Sequence, residues 1–109
     1  KLVRPVAKRP MQFVTELEEG DWLVFNNLRF RTKPGKIILE LKAADSGGSI
    51  ELRRGTLQGE VIASCAVQST GGEWSKQSFE VQKLKKKEKV YFVFKGSNES
   101  LAIKNFIFE

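Results

Sequence analysis

Histidine is absent from the chain of 109 residues. Without it the usual general base near neutral pH, the commonest metal ligand and the triads that depend on an imidazole are all missing. Cysteine occurs once, so no disulfide can form within the chain, and Cys65, set in an apolar row, reads as a small core residue. No apolar run approaches the roughly 18 residues of a membrane helix, so no membrane partner is expected. No signal-peptide pattern opens the sequence either, an absence that says little for a domain of a longer protein. Glu18, Glu19 and Asp21 are close in sequence, but that does not place two carboxylates across a scissile bond, and they read as a solvated turn before a strand. No catalytic residue is assigned, and the chain is not read as an enzyme.

What the chain does have is alternation. Between Gly35 and Gly47, Ile37, Leu39, Leu41 and Ala43 alternate with Ile38, Glu40, Lys42 and Ala44, the period of two that a strand with one buried face requires. Leu23 and Phe25 oppose Trp22 and Val24 in the same way, ahead of Asn26-Asn27 and a further short stretch at 28–31. Ile50 and Leu52 form an inward pair at 49–54, Val61, Ala63, Cys65 and Val67 an inward row at 60–68, and Phe79 and Val81 another at 75–82. Residues 11–15 form a further short strand, and 90–95 and 101–108 close the chain around a polar loop at 96–100. The run KLKKKEK at 83–89 reads as a polar tip between strands. Eight or nine short strands, with turn signals every 8 to 12 residues or so and no convincing helix, predict an all-β jelly-roll sandwich of antiparallel strands. Residues 1–10, with two prolines and four basic side chains, are linker-like or an irregular edge segment, which leaves 11–109 as one sandwich domain. At this length about two thirds of the unfolded surface can be buried, enough for a core without staples.

One stretch carries more than strands need. The loop Ser69-Thr70-Gly71-Gly72-Glu73-Trp74 ends on a tryptophan, although a plain reversal gains nothing from an indole. Gly20-Asp21-Trp22, Gly47-Gly48-Ser49-Ile50-Glu51-Leu52-Arg53, Thr70-Gly71-Gly72 with Trp74, and Val90-Tyr91-Phe92-Val93-Phe94-Lys95-Gly96 before Phe106-Ile107-Phe108 occur in that order. Together they resemble the family 6 carbohydrate-binding modules, galactose-binding-like β-sandwiches appended to polysaccharide-degrading enzymes. The resemblance covers roughly residues 16 to 109 and rests on the ordered set, since each piece alone is weakly specific.

The resemblance implies two places where a glycan binds. One lies in the loops at an end of the sandwich, where a tyrosine and the tryptophan of the glycine loop hold a sugar ring and an asparagine from the last hairpin bonds its hydroxyls. Trp74 matches the tryptophan, displaced by the insertion of Glu73. The tyrosine position falls at Glu16 and the asparagine position near Ala102, so a stacking partner is exchanged for a carboxylate that can only accept hydrogen bonds. The other place is a concave sheet face, where the tryptophan of Gly-Asp-Trp and the glutamate of the Gly-Gly-x-Ile-Glu strand bind; Trp22 and Glu51 match, and Lys95 is a donor on a nearby strand. Each assignment has a structural counterpart: Trp22 covering the sheet, Trp74 capping the core at its rim, and Glu51 in a surface ion pair with a lysine or arginine. The family's structural calcium is bound partly by an N-terminal Ala-Glu pair, and nothing here matches it, so no cofactor is expected.

The net charge of +6, with a pI near 9.6, is the remaining signal. Lys83, Lys85, Lys86, Lys87 and Lys89 concentrate part of it. Such a run reads either as a solvated tip that discourages edge pairing or as attraction to an acidic glycan. Nucleic acid is not an expected partner, because the basic residues are not interleaved with aromatics in any recognised motif. The resemblance therefore implies a polysaccharide or oligosaccharide as partner, with Trp74, Trp22, Glu51, Glu16 and Lys95 as site residues. It also implies a catalytic domain in the parent chain and an extracellular or periplasmic location. The competing expectation is a structural sandwich that has lost glycan binding and packs on a neighbouring domain or protein.

Overall fold

The computed structural model describes residues 14–15, 19–82, 84–96, 98 and 100–109. Eight strands run through them: β1 (Val14–Thr15), β2 (Trp22–Arg29), β3 (Lys36–Lys42), β4 (Ser49–Arg54), β5 (Val61–Ala66), β6 (Ser75–Glu80), β7 (Lys87–Lys95) and β8 (Ala102–Phe108). They form two antiparallel four-stranded sheets, ordered β1-β8-β3-β6 and β2-β7-β4-β5. That interleaving of early and late strands is the eight-stranded jelly roll, so the expected fold class is the observed one. No helix among the described residues is long and apolar enough to cross a membrane.

Strand β3 is the axis of the first sheet. Its inward residues Ile37, Leu39 and Leu41, with Ala43 beyond its end, are fully buried, as the alternation predicts. Opposite them lie Leu23, Ile50, Leu52, Val90, Phe92 and Phe94 of the second sheet. Phenylalanine rings join the two layers. Phe25 and Phe92 project from the second sheet onto Phe106 of β8, with centroids 4.8 and 4.9 Å apart, and Phe108 extends the cluster to Phe30. These are edge-on and tilted contacts, the arrangements that ring quadrupoles favour.

Four local readings change. The strand at Trp22–Arg29 is continuous across Asn26-Asn27, which sit at a shift in its register with β7. Val61 is not inward: β5 pairs Ala63 with Leu52 but Val61 with Arg53, so Ile62 is an inserted bulge residue, buried in its place, while Val61 is 48% exposed. Asp21 is not solvated but 1% exposed, because Gly20 and Asp21 prolong the β2–β7 ladder through hydrogen bonds with Phe94. The lysine run is only partly a tip. Leu84 and Glu88 are buried, β7 begins at Lys87, and the Glu88 carboxylate accepts hydrogen bonds from Arg54 Nε and from the backbone N–H of Lys85. Lys83 and residues 1–10 lie outside the described residues.

The glycine pair of the Gly47-Gly48 motif has a packing cause. Gly48 has φ +72°, and a Cβ placed on it would lie 2.9 Å from Cζ of Phe94 and 3.2 Å from the carbonyl of Lys95. Gly48→Ala therefore meets both backbone strain and a ring of the core. It is expected to lower stability by about 1–3 kcal/mol in urea unfolding, and a midpoint equal to that of the parent would refute the packing account.

Cys65 is fully buried, and burial pushes its thiol up to about 12. An unfolded chain loses that proton near pH ~8.5, whereas the folded one keeps it, so between those values the unfolded state binds fewer protons. Stability should accordingly fall as pH rises through that window, and denaturant titration between about pH 8 and about pH 11 should show a shallower fall in Cys65→Ala. A Cys65→Ala profile parallel to the parent's would show that other groups govern the alkaline limb.

Candidate functional site

Alternation decides which side chains leave the core. In β2, Leu23 and Phe25 point inward, which sends Trp22 and Val24 to the outer face of the second sheet. Trp22 stands opposite Val93 of β7, and Val93 stands opposite Glu51 of β4, so the three make one row across three strands. Directly opposed residues in adjacent antiparallel strands share a face. The same rule puts Tyr91 beside Val24 and Arg53, and Lys95 beside Ser49, on that face. Trp22, Glu51 and Lys95, named separately from the sequence, are thus brought together around Val93, which is only 5% exposed although it faces outward.

Tyr91 was not singled out from sequence. Its ring lies 5.4 Å from that of Trp22, inclined at 51°, and the Lys89 ammonium sits 5.4 Å from its centroid. The signal that finds it is the β2–β7 register, which a single sequence does not display. Glu51 accepts hydrogen bonds from Nε and Nη2 of Arg53, and Arg53 Nη1 also donates to the carbonyl of Leu57 at 2.9 Å. Glu51 is therefore both part of the outer row and held in the ion pair with an arginine. Lys95 Nζ lies 3.7 Å from the Glu19 carboxylate, whose other oxygen accepts from the Gly96 N–H. That pair is exposed, so it holds Lys95 only loosely.

Trp74 is elsewhere. It immediately precedes β6, the edge strand of the first sheet, and its half-buried indole lies with Lys42 Nζ 5.0 Å and Lys104 Nζ 5.3 Å from its centroid. The loop that delivers it is pinned to β3. Thr70 Oγ1 accepts from the Ala43 N–H, Ser69 Oγ donates to the Ala44 carbonyl, and the Thr70 N–H donates to the Ala43 carbonyl. The positive φ at Gly71 and Gly72 turns the chain there. Of the two positions expected to complete a site with Trp74, Ala102 is buried and pairs with Lys42 across the β3–β8 ladder, while Glu16 lies outside the described residues. Asn98, the asparagine of the last loop, is 7% exposed and committed: its amide donates to the carbonyls of Asp45 and Gly47 and its oxygen accepts from Ser100. It fastens loops together and does not face a ligand.

No group of three or more cysteine or acidic side chains among the described residues is arranged to hold a metal. A jelly roll with aromatic and charged side chains on both outer faces defines a class of small binding domains rather than one activity. Within that class the sequence matches the model of the carbohydrate-binding module family 6 over residues 7–109. The chain belongs to that family and is a carbohydrate-binding module.

It is similar to several solved structures and to curated relatives. A family 6 carbohydrate-binding module from Clostridium cellulolyticum, in complex with xylose, is 29% identical with a TM-score of 0.78, over 92% of this chain and 87% of that one. A glycoside hydrolase family 43 arabinoxylan arabinofuranohydrolase from Bacillus subtilis, in complex with cellotetraose, is 26% identical with a TM-score of 0.80, over 90% of this chain and 21% of that one. The curated arabinoxylan arabinofuranohydrolase of Bacillus subtilis (strain 168) is 32% identical over 88 residues, 79% of this chain. The chain spans 17% of that enzyme's length.

Proposed function

We propose that the outer face of the β2-β7-β4-β5 sheet holds a neutral plant-type glycan, with Trp22 and Tyr91 as apolar platforms and Glu51 and Lys95 as hydrogen-bonding groups. The observation that carries this reading is the cross-strand row Trp22–Val93–Glu51 with Tyr91 against Trp22. A β-linked pyranose presents C–H groups on one side and hydroxyls around its edge, and such a face pairs aromatic surface with fixed polar groups at the spacing of strands. Trp22 and Glu51 are two strands apart, about 10 Å, with the covered Val93 between them. Arg53 orients the Glu51 carboxylate, and the exposed Lys95–Glu19 pair opens at little cost to let the ammonium meet a hydroxyl. Similarity to a module bound to xylose and to an enzyme bound to cellotetraose supports xylan- or glucan-like chains as the ligand class.

The chain's own role is non-catalytic. Histidine is absent, and the outer-face carboxylate Glu51 is held by Arg53 instead of facing a second carboxylate. Similarity to a small portion of a much longer arabinoxylan arabinofuranohydrolase supports a place beside a catalytic domain that acts on polysaccharide. There, raising local concentration on an extended substrate needs only weak binding.

Calorimetric titration with xylo-oligosaccharides and cello-oligosaccharides tests the reading. Trp22→Ala and Tyr91→Ala are each expected to weaken binding about tenfold, or roughly 1.4 kcal/mol, with unchanged thermal midpoints. Glu51→Gln should weaken it several-fold. If neither oligosaccharide gives a saturable heat, or if Trp22→Ala binds as tightly as the parent, the platform is wrongly assigned.

A further inference from the structure

We propose that the outer face of the second sheet continues into a basic end, formed by Lys89, Lys87 and Arg29, that takes an anionic substituent of the bound glycan. The inference rests on the reading of the Trp22 face as the glycan platform. It adds the substrate class: a chain of neutral sugars that carries a carboxylate or a sulfate.

The basic end is a product of β7. Glu88, Val90, Phe92 and Phe94 are buried on its inner side, so Lys87, Lys89, Tyr91, Val93 and Lys95 make its outward row. Lys89 follows Tyr91 in that row, and its ammonium, 5.4 Å from the ring centroid, marks the point where the aromatic platform gives way to charge. Lys87 comes next, and the β2–β7 ladder sets Arg29 directly opposite it, on the same face. From Val93 to Lys87 the row is about 20 Å long, the length of a short oligosaccharide. A chain laid along β7 from Trp22 across Tyr91 therefore reaches all three cations.

Stability does not account for these positions. Arg29 and Lys87 are like charges directly opposed in an antiparallel pair, an arrangement that weakens a ladder. Lys89 guards no open edge. On one side Asn26 and Asn27 of β2 together oppose it across the bulge, and on the other the Gly55 N–H donates to its carbonyl. No carboxylate of the described residues is in an ion pair with Arg29, Lys87 or Lys89. The carboxylates on the neighbouring strand and on β7 itself are committed: Glu51 to Arg53, and Glu88, on the inner side, to Arg54 and the Lys85 N–H. All three cations are exposed, as are Asn26 and Asn27 beside them. An anionic group placed there accepts charge-assisted hydrogen bonds and relieves the repulsion between Arg29 and Lys87, while the neutral sugars of the same chain lie over the platform.

The test compares three oligosaccharides of equal main-chain length by calorimetry, prepared on a xylose and on a glucose main chain: one unsubstituted, one with a single uronic acid branch and one with a single sulfate ester. At low salt at least one acidic ligand is expected to bind about fivefold or more tightly than its neutral parent, and to lose that advantage at high salt while the neutral affinity stays. Arg29→Gln/Lys87→Gln/Lys89→Gln should lose it too, with a thermal midpoint no lower than the parent's. Lys36→Gln/Lys76→Gln, which removes charge from the opposite face, should keep it. Which acidic ligand gains decides between carboxylate and sulfate. Equal affinity for neutral and acidic ligands, a preference that persists at high salt or in the triple variant, or one lost with Lys36 and Lys76 overturns the basic end. Acidic binding untouched by Trp22→Ala overturns it as a continuation of that face. A single-stranded oligonucleotide held by the same three residues as tightly as the acidic ligand overturns the glycan as its occupant. If any of these occurs while the neutral ligand still binds and is weakened by Trp22→Ala, the basic end alone fails; if no oligosaccharide gives a saturable heat, the reading of the platform fails with it.

Discussion

The contact of Phe92 with Phe106, at 4.9 Å, is the point on which both outer faces depend. It joins neighbouring strands in sequence, β7 and β8, that belong to opposite sheets. With Phe25 it fixes which residues of β2, β7 and β8 are turned inward. Side chains in a strand alternate with a period of two, so a slip of one residue would exchange the faces completely. Phe92 inward means Tyr91 and Val93 outward, and the pairing of β7 with both β2 and β4 then carries Trp22 and Glu51 to the same surface. The exposed aromatic platform is thus a consequence of the buried one. Its residues need no loop to position them, because strand register alone sets them on one face.

The first sheet builds its surface differently. Its inward residues are as regular as those of the second, with Ile37, Leu39 and Leu41 fully buried, but its outer face is organised by an interruption. A bulge at Lys104 and a pinned loop before Trp74 bring together groups that a regular ladder would keep apart. Two tryptophans therefore mark two unlike surfaces: one beside a tyrosine and a carboxylate, the other beneath two cations.

What was legible in the sequence follows the same division. Alternation over 36–44 reports a regular strand because every residue obeys one period, and there reading and structure coincide. At Val61 the pattern fails because a bulge changes the phase without changing composition, so an apolar residue lands outside and Ile62 takes its place. KLKKKEK looks uniformly polar, yet Glu88 is buried because Arg54, 34 positions earlier, meets it. Trp22, Glu51 and Trp74 were each visible through short motifs. Tyr91 and Lys42 were not, because their significance lies in cross-strand partners 69 and 32 positions away. Gly47-Gly48 was legible as a signature but not as a cause, since its cause is the ring of Phe94 lying against it.

At Lys42 and Lys104 mutual repulsion is set against attraction to one indole, a balance that composition conceals. Two ammonium groups at most about 10 Å apart repel by at least about 0.4 kcal/mol in water, and by more where a half-buried ring excludes solvent from between them. Each gains on the order of 0.5–1 kcal/mol from the indole, enough to offset that repulsion but no more than either lysine would gain alone. A surface tuned only for stability would set a carboxylate beside such a pair, as this chain does for Lys95 with Glu19 and for Arg53 with Glu51. Beside Trp74 the available carboxylate, Glu40, is instead bonded to Asn105. The excess of positive charge on the chain thus has two different meanings. In the 83–89 segment Lys85, Lys86 and Lys87 are exposed beside a buried structural glutamate, whereas at Lys42 and Lys104, as at Lys89, the charge lies against an aromatic ring.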